Sequence, residues 1–86
     1  MADDQEPAGS GSTAAVWTAQ TTRGRVDVAV ERVDGHRWRY SILRHRGGRV
    51  EPLSQGLSEG RAALAADIDA ALNRAGVGSR PSWLHT

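Results

Sequence analysis

Apolar residues recur at every second position in two stretches near the middle of the chain. Each stretch supplies three of them: Val26, Val28 and Val30 in the first, and Trp38, Tyr40 and Ile42 in the second. Successive side chains of a strand point to opposite faces, so this period of two predicts two strands that each bury one face. Asp34-Gly35 lies between the two stretches and indicates a hairpin turn.

The length of that turn decides which residues face each other. A two-residue loop, Asp34-Gly35, would pair Val30 with Arg39 and mix valines with arginines on one face. A three-residue loop, 33–35, keeps one face apolar and places Gly35 at the left-handed position of a bulged hairpin. We therefore expect the three-residue loop, with these cross-strand pairs: Val30 with Trp38, Val28 with Tyr40, Val26 with Ile42, and Glu31 with Arg37.

Two flanking stretches predict outer strands. A two-residue turn at Arg23-Gly24 would join residues 16–22 to the valine strand. It would pair Ala19 with Val28 and Trp17 with Val30, which keeps the same face apolar.

Downstream, Gly47-Gly48 can turn the chain into a fourth strand over residues 50–53. Pro52 has no N–H to donate, so this strand should lie at the edge of the sheet. The expected pairs are Arg44 with Glu51 and Ile42 with Leu53.

The last third of the chain changes to apolar spacings of three and four, which predicts one amphipathic helix. Ser58 is placed to cap its N-terminus, with Glu59 in the first turn, and Arg74 falls in the last turn. Gly76 can take the left-handed conformation that ends a helix, and the apolar pair Trp83-Leu84 should dock on the domain. The apolar stripe comprises Leu64, Ala65, Ile68, Ala71, Leu72 and Ala75.

Together these elements predict an α+β fold, in which a four-stranded antiparallel β-meander is followed by one helix packed on one face (β-β-β-β-α). Residues 1–12 are acidic and rich in glycine and serine, which predicts a disordered tail. Residues 13–78 form the single domain and residues 79–86 a C-terminal tail. The sheet face away from the helix should carry Arg25, Asp27, Ala29, Glu31, Arg37, Arg39, Ser41, Leu43 and His45.

Charge is segregated along the chain. Residues 1–22 carry three acids and no base, and residues 23–49 carry eight arginines against three acids. Residues 50–86 carry three arginines against four acids, so the net charge of +1 conceals a basic middle.

A core built from about 70 residues usually supplies only ~3–5 kcal/mol of stability, and we therefore expect a homodimer.

The residues offer little for catalysis or for cofactors. There is no cysteine, the three histidines lie far apart, and no serine has the context of an activated nucleophile. We expect no enzyme activity, no metal and no cofactor. No apolar run is long enough to span a membrane and no signal peptide is apparent, so a cytoplasmic protein is expected.

The basic middle of the chain is the stronger signal, because arginine suits bidentate phosphate contacts and stacking on bases. Stacking also needs exposed aromatic residues, and the register places Trp38 and Tyr40 in the core. The alternative is a solvated face in which Arg37 and Arg39 pair with Glu31 and Asp27. The candidate nucleic-acid-binding residues are Arg25, Arg37, Arg39, Arg44, Arg46 and Arg49.

One segment resembles a known family. Pro52 is followed four positions later by Gly56-Leu57-Ser58 and then by the predicted helix, and the run Ile42-Leu43-Arg44 precedes it. This spacing resembles the positive cofactor four (p15) transcriptional coactivator family, although Gln55 stands where that family usually has lysine. The resemblance implies a four-stranded sheet followed by a helix, a dimer, and binding of single-stranded DNA on the sheet, with Arg44 the one binding residue carried over from the motif.

The same element order also fits the YegP-like repeat and the Pur-alpha and Whirly modules, of which the last two imply nucleic-acid binding. We therefore predict a module that binds single-stranded DNA or RNA, related to transcription. The second hypothesis is a protein-interaction module or small regulator that binds a partner through an open sheet edge or an apolar face.

Overall fold

The computed structural model describes residues 14–84, which form one antiparallel sheet followed by one helix. The strands pair in chain order, so the predicted β-β-β-β-α fold is confirmed. The predicted tail at residues 1–12 lies outside the described residues. The elements are β1 (Ala14–Thr21), β2 (Gly24–Arg32), β3 (Arg37–Arg46), β4 (Arg49–Glu59) and α1 (Arg61–Arg74).

The sheet has an inner face, which α1 covers, and an outer face. All six apolar residues of the two central alternations are buried on the inner face, as predicted. They pack against the apolar stripe of the helix, because burying both surfaces together removes them from water. The buried helix residues are Leu64, Ala65, Ile68, Ala71 and Leu72.

The turn between β2 and β3 is longer than predicted. It spans residues 33–36 and is closed by the Val33 N–H, which donates to the Arg37 carbonyl at 2.8 Å. Asp34 organises it, because its carboxylate accepts from the backbone N–H groups of His36 and Arg37 at 3.1 Å each. The predicted left-handed conformation of Gly35 is wrong.

The longer turn moves the register by two residues. Val30 lies opposite Tyr40, and not opposite Trp38 as predicted. A shift of two positions leaves every side chain on its own face, and this is why the core was predicted correctly from a wrong register. The corrected pairs are Val30 with Tyr40, Val28 with Ile42, Val26 with Arg44, and Glu31 with Arg39.

The β1–β2 register also differs by two residues, because the turn is Thr22-Arg23 and not Arg23-Gly24. Gly24 already belongs to β2, with a φ of 122° that other residues rarely adopt. A Cβ at this position would collide with the carbonyl oxygen of His45 on the neighbouring strand. The corrected pairs are Ala19 with Val26 and Trp17 with Val28.

Strand β4 is longer than the predicted 50–53. Arg44 lies opposite Glu51 as predicted, but Ile42 lies opposite Ser54 because Leu53 is the extra residue of a bulge. After the bulge, β4 continues to pair with β3 as far as Glu59. Pro52 is confirmed on an edge strand.

The helix begins later than predicted. Ser58 lies in β4 and donates its hydroxyl hydrogen to Asp67 at 2.5 Å, so it is not the N-cap. Gly60, with a φ of 95°, precedes the helix instead. At the other end, Gly76 has the predicted left-handed conformation, and its N–H bonds the Asn73 carbonyl as in a Schellman motif.

The segment after the helix packs onto the domain as far as Leu84. Leu84 and Pro81 are buried and Trp83 packs against the core, as predicted for the apolar pair. Arg80 ties the segment to the helix by donating from Nε to Asp69 at 2.6 Å.

Candidate nucleic-acid interface

Both two-residue turns of the sheet lie at one end of the molecule, together with the C-terminus of α1. Arg44 links strand β3 to the C-terminus of the helix, because its Nη2 donates to the Ala75 carbonyl at 3.0 Å. We call this region the arginine end. Its members are Arg23, Arg25, Arg44, His45, Arg46, Arg49 and Arg74, with Asp27 and Glu51 as its acids.

The arginine end holds the whole excess of positive charge in residues 14–84. It has six arginines against two acids, whereas the described part of the chain as a whole has eleven against seven. The opposite end is balanced, since Arg32, Arg37, Arg39 and Arg61 there meet Glu31, Asp34, Glu59 and Asp67. The remaining pair, Arg80 and Asp69, is a salt bridge.

Arg37 and Arg39 lie on the outer face, as predicted, and each is paired. Arg39 Nη1 lies 3.4 Å from Glu31 Oε1, and Arg37 Nε donates to Asp34 Oδ2 at 2.7 Å. These ion pairs match the alternative of a solvated, paired face, with Glu31 as predicted but with Asp34 in place of Asp27. No strand position on the described outer face carries phenylalanine, tyrosine or tryptophan, so this face lacks large aromatic platforms for bases.

Arg25 is on the outer face at the arginine end. Asp27 is shared there, because its carboxylate lies 3.2 Å from Arg25 Nε and 2.9 Å from His45 Nε2. Thr18 Oγ1 also donates to it at 2.9 Å. One carboxylate therefore lies close to both Arg25 and His45.

A cleft of about 450 Å³ opens at the arginine end. Arg46 and Arg49 form its exposed walls and lie directly opposite each other across the β3–β4 hairpin. Like charges in directly opposed positions are destabilising unless an anion lies between them. The cleft lining is Arg44, Arg46, Arg49, Val50, Glu51 and Pro52.

Arg44 is the most buried of the predicted binding residues, since only 8% of its surface is exposed. It belongs to the inner face and forms the floor of the cleft. Its Nε is buried without a hydrogen-bond acceptor, and no carboxylate among residues 14–84 lies within 4.0 Å of its guanidinium. The negative end of the α1 dipole compensates this charge only in part, so an anion in the cleft would be favoured.

Two arginines of the arginine end were absent from the predicted set. Arg23 lies in the β1–β2 turn and Arg74 in the last helical turn, and both are exposed. The sequence identified Arg74 only as a helix-terminal base. Its place beside the other arginines depends on the helix ending next to Arg44, which sequence alone does not indicate.

At the balanced end, the turn lowers the pKa of Asp34 to about 2. The hydrogen bond from the Arg37 side chain is the largest cause, followed by the bond from the His36 N–H. Arg37 responds in the opposite direction, because the same hydrogen bond raises its pKa.

We expect the Asp34 carboxyl resonance to titrate near pH 2 in an NMR titration. A lowered pKa means that the interaction stabilises the fold above the ordinary value of 3.8 and is lost as the pH falls through about 2. Replacing Arg37 by glutamine should move the midpoint toward 3.8, whereas Arg39→Gln should leave it in place. An unchanged midpoint in Arg37→Gln would refute this account of the turn.

Within residues 14–84, no group of histidine, aspartate and glutamate is arranged to hold a metal, and no helix is long and apolar enough to cross a membrane. Comparison with protein-family models, characterised proteins and solved structures gives no match to this chain. The resemblance to the positive cofactor four family therefore stays a prediction based on the motif residues.

Proposed function

We propose that this protein binds single-stranded nucleic acid by its sugar–phosphate backbone, through the arginine end. The observation that carries the proposal is the placement of the charge excess of residues 14–84 at one end of the sheet, where a cleft lined by three arginines and Glu51 opens. Phosphates supply the negative charge that the opposed Arg46 and Arg49 and the buried Arg44 lack. Such contacts dominate the affinity of nucleic-acid-binding proteins and carry little sequence preference.

A single strand fits this site better than a duplex. The cleft is recessed at Arg44, which is buried, whereas Arg46 and Arg49 are exposed. A flexible strand can turn a phosphate into the recess, whereas duplex DNA is stiff over about 150 base pairs and presents its phosphates on a convex surface. The positive cofactor four resemblance favours the same ligand and suggests an accessory role in transcription.

Base recognition should be weak. The large aromatic residues of the sheet pack on the inner face: Trp38 and Tyr40 are buried, and Trp17 packs against the core. Arg32 and Arg61 lie 5.7 and 5.5 Å from the ring centroid of Trp38, which further occupies it. Oligonucleotides of different sequence should therefore bind with similar affinities.

An NMR titration of the full chain tests the proposal. A short oligothymidine should shift the backbone resonances of residues 23–25, 44–51 and 74–76, and leave those of residues 31–39 in place. A duplex of the same length should shift them less. Shifts confined to residues 31–41 would place binding on the open sheet face, and no shifts at all would refute the proposal.

A further inference from the structure

The two edges of the sheet differ in how they are protected against pairing with another strand. Natural edge strands are usually blunted by charge, proline or a bulge. β4 has all three: Pro52, the bulge at Leu53, and charged residues that include Glu51. β1 has none of them, because Ala14–Thr21 contains no charged residue and no proline. Its register with β2 is unbroken along all eight residues.

β1 also lies away from the helix. α1 packs closest to β3 and β4, and on the inner face of β1 only Ala15 is fully buried. Trp17 and Ala19 are only partly buried there. On the outer face, Val16 is 67% exposed. Within residues 14–84, no strand pairs with the outer edge of β1, so this edge offers backbone groups flanked by apolar side chains on both faces.

We propose that β1 is a self-association edge, where it pairs antiparallel with β1 of a second copy about a two-fold axis to form a continuous eight-stranded sheet. A two-fold interface sets each surface against itself, so charges of one sign in the middle of the strand would repel. An uncharged strand avoids this repulsion. Pairing also buries more surface, which stabilises a small core, because about 70 residues alone supply little stability.

The strand periodicity limits the register. Opposed residues in an antiparallel pair lie on the same face, so the axis must pass through a residue and not between two residues. Trp17 and Thr18 are the two central choices in β1. With Thr18 on the axis, Thr18 faces its own copy; with Trp17 on the axis, Val16 faces Thr18 of the second copy.

This arrangement keeps the two nucleic-acid sites apart. β1 runs from the balanced end to the arginine end, because Thr21 precedes the turn that holds Arg23. In an antiparallel pair the two arginine ends therefore lie at opposite corners of the sheet. Each copy keeps a complete cleft, so the dimer should bind two short oligonucleotides, one per chain.

Sedimentation equilibrium of the full chain tests the proposal with two matched variants. Val16→Lys with Thr18→Lys adds two charges to the outer face of the β1 edge, and Gln55→Lys with Leu57→Lys adds the same charges to that face at the β4 edge. We expect a dimer for the natural chain and for the β4 variant, and a folded monomer for the β1 variant. A monomeric natural chain, a dimeric β1 variant or a monomeric β4 variant would each overturn the proposal.

Cysteine cross-linking provides a second test that holds if the lysine variant does not fold. The chain has no cysteine, so each introduced thiol is the only one present. If Thr18 lies on the two-fold axis, Thr18→Cys should form a disulfide dimer on oxidation. If Trp17 lies on the axis, a mixture of Val16→Cys and Thr18→Cys should form the disulfide dimer instead. Failure of both, or equal cross-linking of Leu57→Cys, would overturn the β1 assignment without bearing on oligonucleotide binding.

Discussion

Replacing both Arg46 and Arg49 by glutamate should weaken oligonucleotide binding by about a hundredfold to ten-thousandfold. Hydrogen bonds to charged groups contribute about 1.5–3 kcal/mol each, and two such contacts correspond to that range of affinity. The reversal also places four negative oxygen atoms at the mouth of the cleft, which adds repulsion of phosphate. The measurement is a fluorescence-anisotropy titration with a labelled oligothymidine.

The fold should survive this change. Both arginines are exposed at the β3–β4 hairpin, and neither has a salt bridge within residues 14–84. The change replaces one pair of opposed like charges by another, so the repulsion across the hairpin stays about the same. Circular dichroism should therefore show the same folded spectrum as the natural chain.

Arg37→Glu with Arg39→Glu is the matched control. It changes the net charge by the same amount, but it acts at the balanced end, where both side chains already pair with acids. We expect only a severalfold loss of affinity, because screening weakens charges beyond about 8–10 Å at physiological salt. An equal loss in both variants would mean that net charge alone determines binding, and a larger loss in the control would move the site to the outer face.

Replacing Ile68 by alanine should destabilise the domain by about 2–5 kcal/mol, as is typical for truncation of a buried isoleucine. Ile68 is fully buried in the helix stripe that faces the sheet. A core of this size usually supplies only about 3–5 kcal/mol, so the variant should be largely unfolded at 37 °C unless association stabilises it. Urea denaturation followed by circular dichroism measures the loss.

Leu57→Ala is the control for this second prediction. Leu57 is a large apolar residue, but it is 51% exposed on the outer face. Truncating it should cost less than about 1 kcal/mol, since exposed positions contribute little. A near-neutral Ile68→Ala would contradict the packing of α1 on the sheet.

The faces of the sheet could be predicted from the sequence, whereas the registers could not. The period of two assigns Val28 and Tyr40 to the core, and a register shift of two residues leaves this assignment unchanged. The turn length itself depends on the carboxylate of Asp34, which bonds two backbone N–H groups and stabilises a four-residue loop. Similarly, the bulge at Leu53 lets β4 run on through Ser58, a residue that sequence alone assigned to the helix cap.

The candidate site, too, could be predicted from the sequence only in part. The basic segment 23–49 was apparent in the sequence, but folding sends its arginines to two ends of the sheet. Antiparallel pairing brings Arg25 beside His45 and carries Arg39 to the opposite end, beside Glu31. The alternation that buries Ile42 also indicated that Arg44 points inward, and this signal was available in the sequence. Its acceptor at Ala75 was not, because it depends on where α1 ends.

The most direct test of the central claim is the affinity of the natural chain for an oligothymidine at two salt concentrations, about 50 and 200 mM. If the arginine end neutralises about three or four phosphates of a single strand, the affinity should fall by about tenfold to fiftyfold over this range. The slope should be smaller for Arg46→Glu with Arg49→Glu. An affinity that does not change with salt, or the absence of binding at the lower concentration, would contradict phosphate recognition by the arginine end.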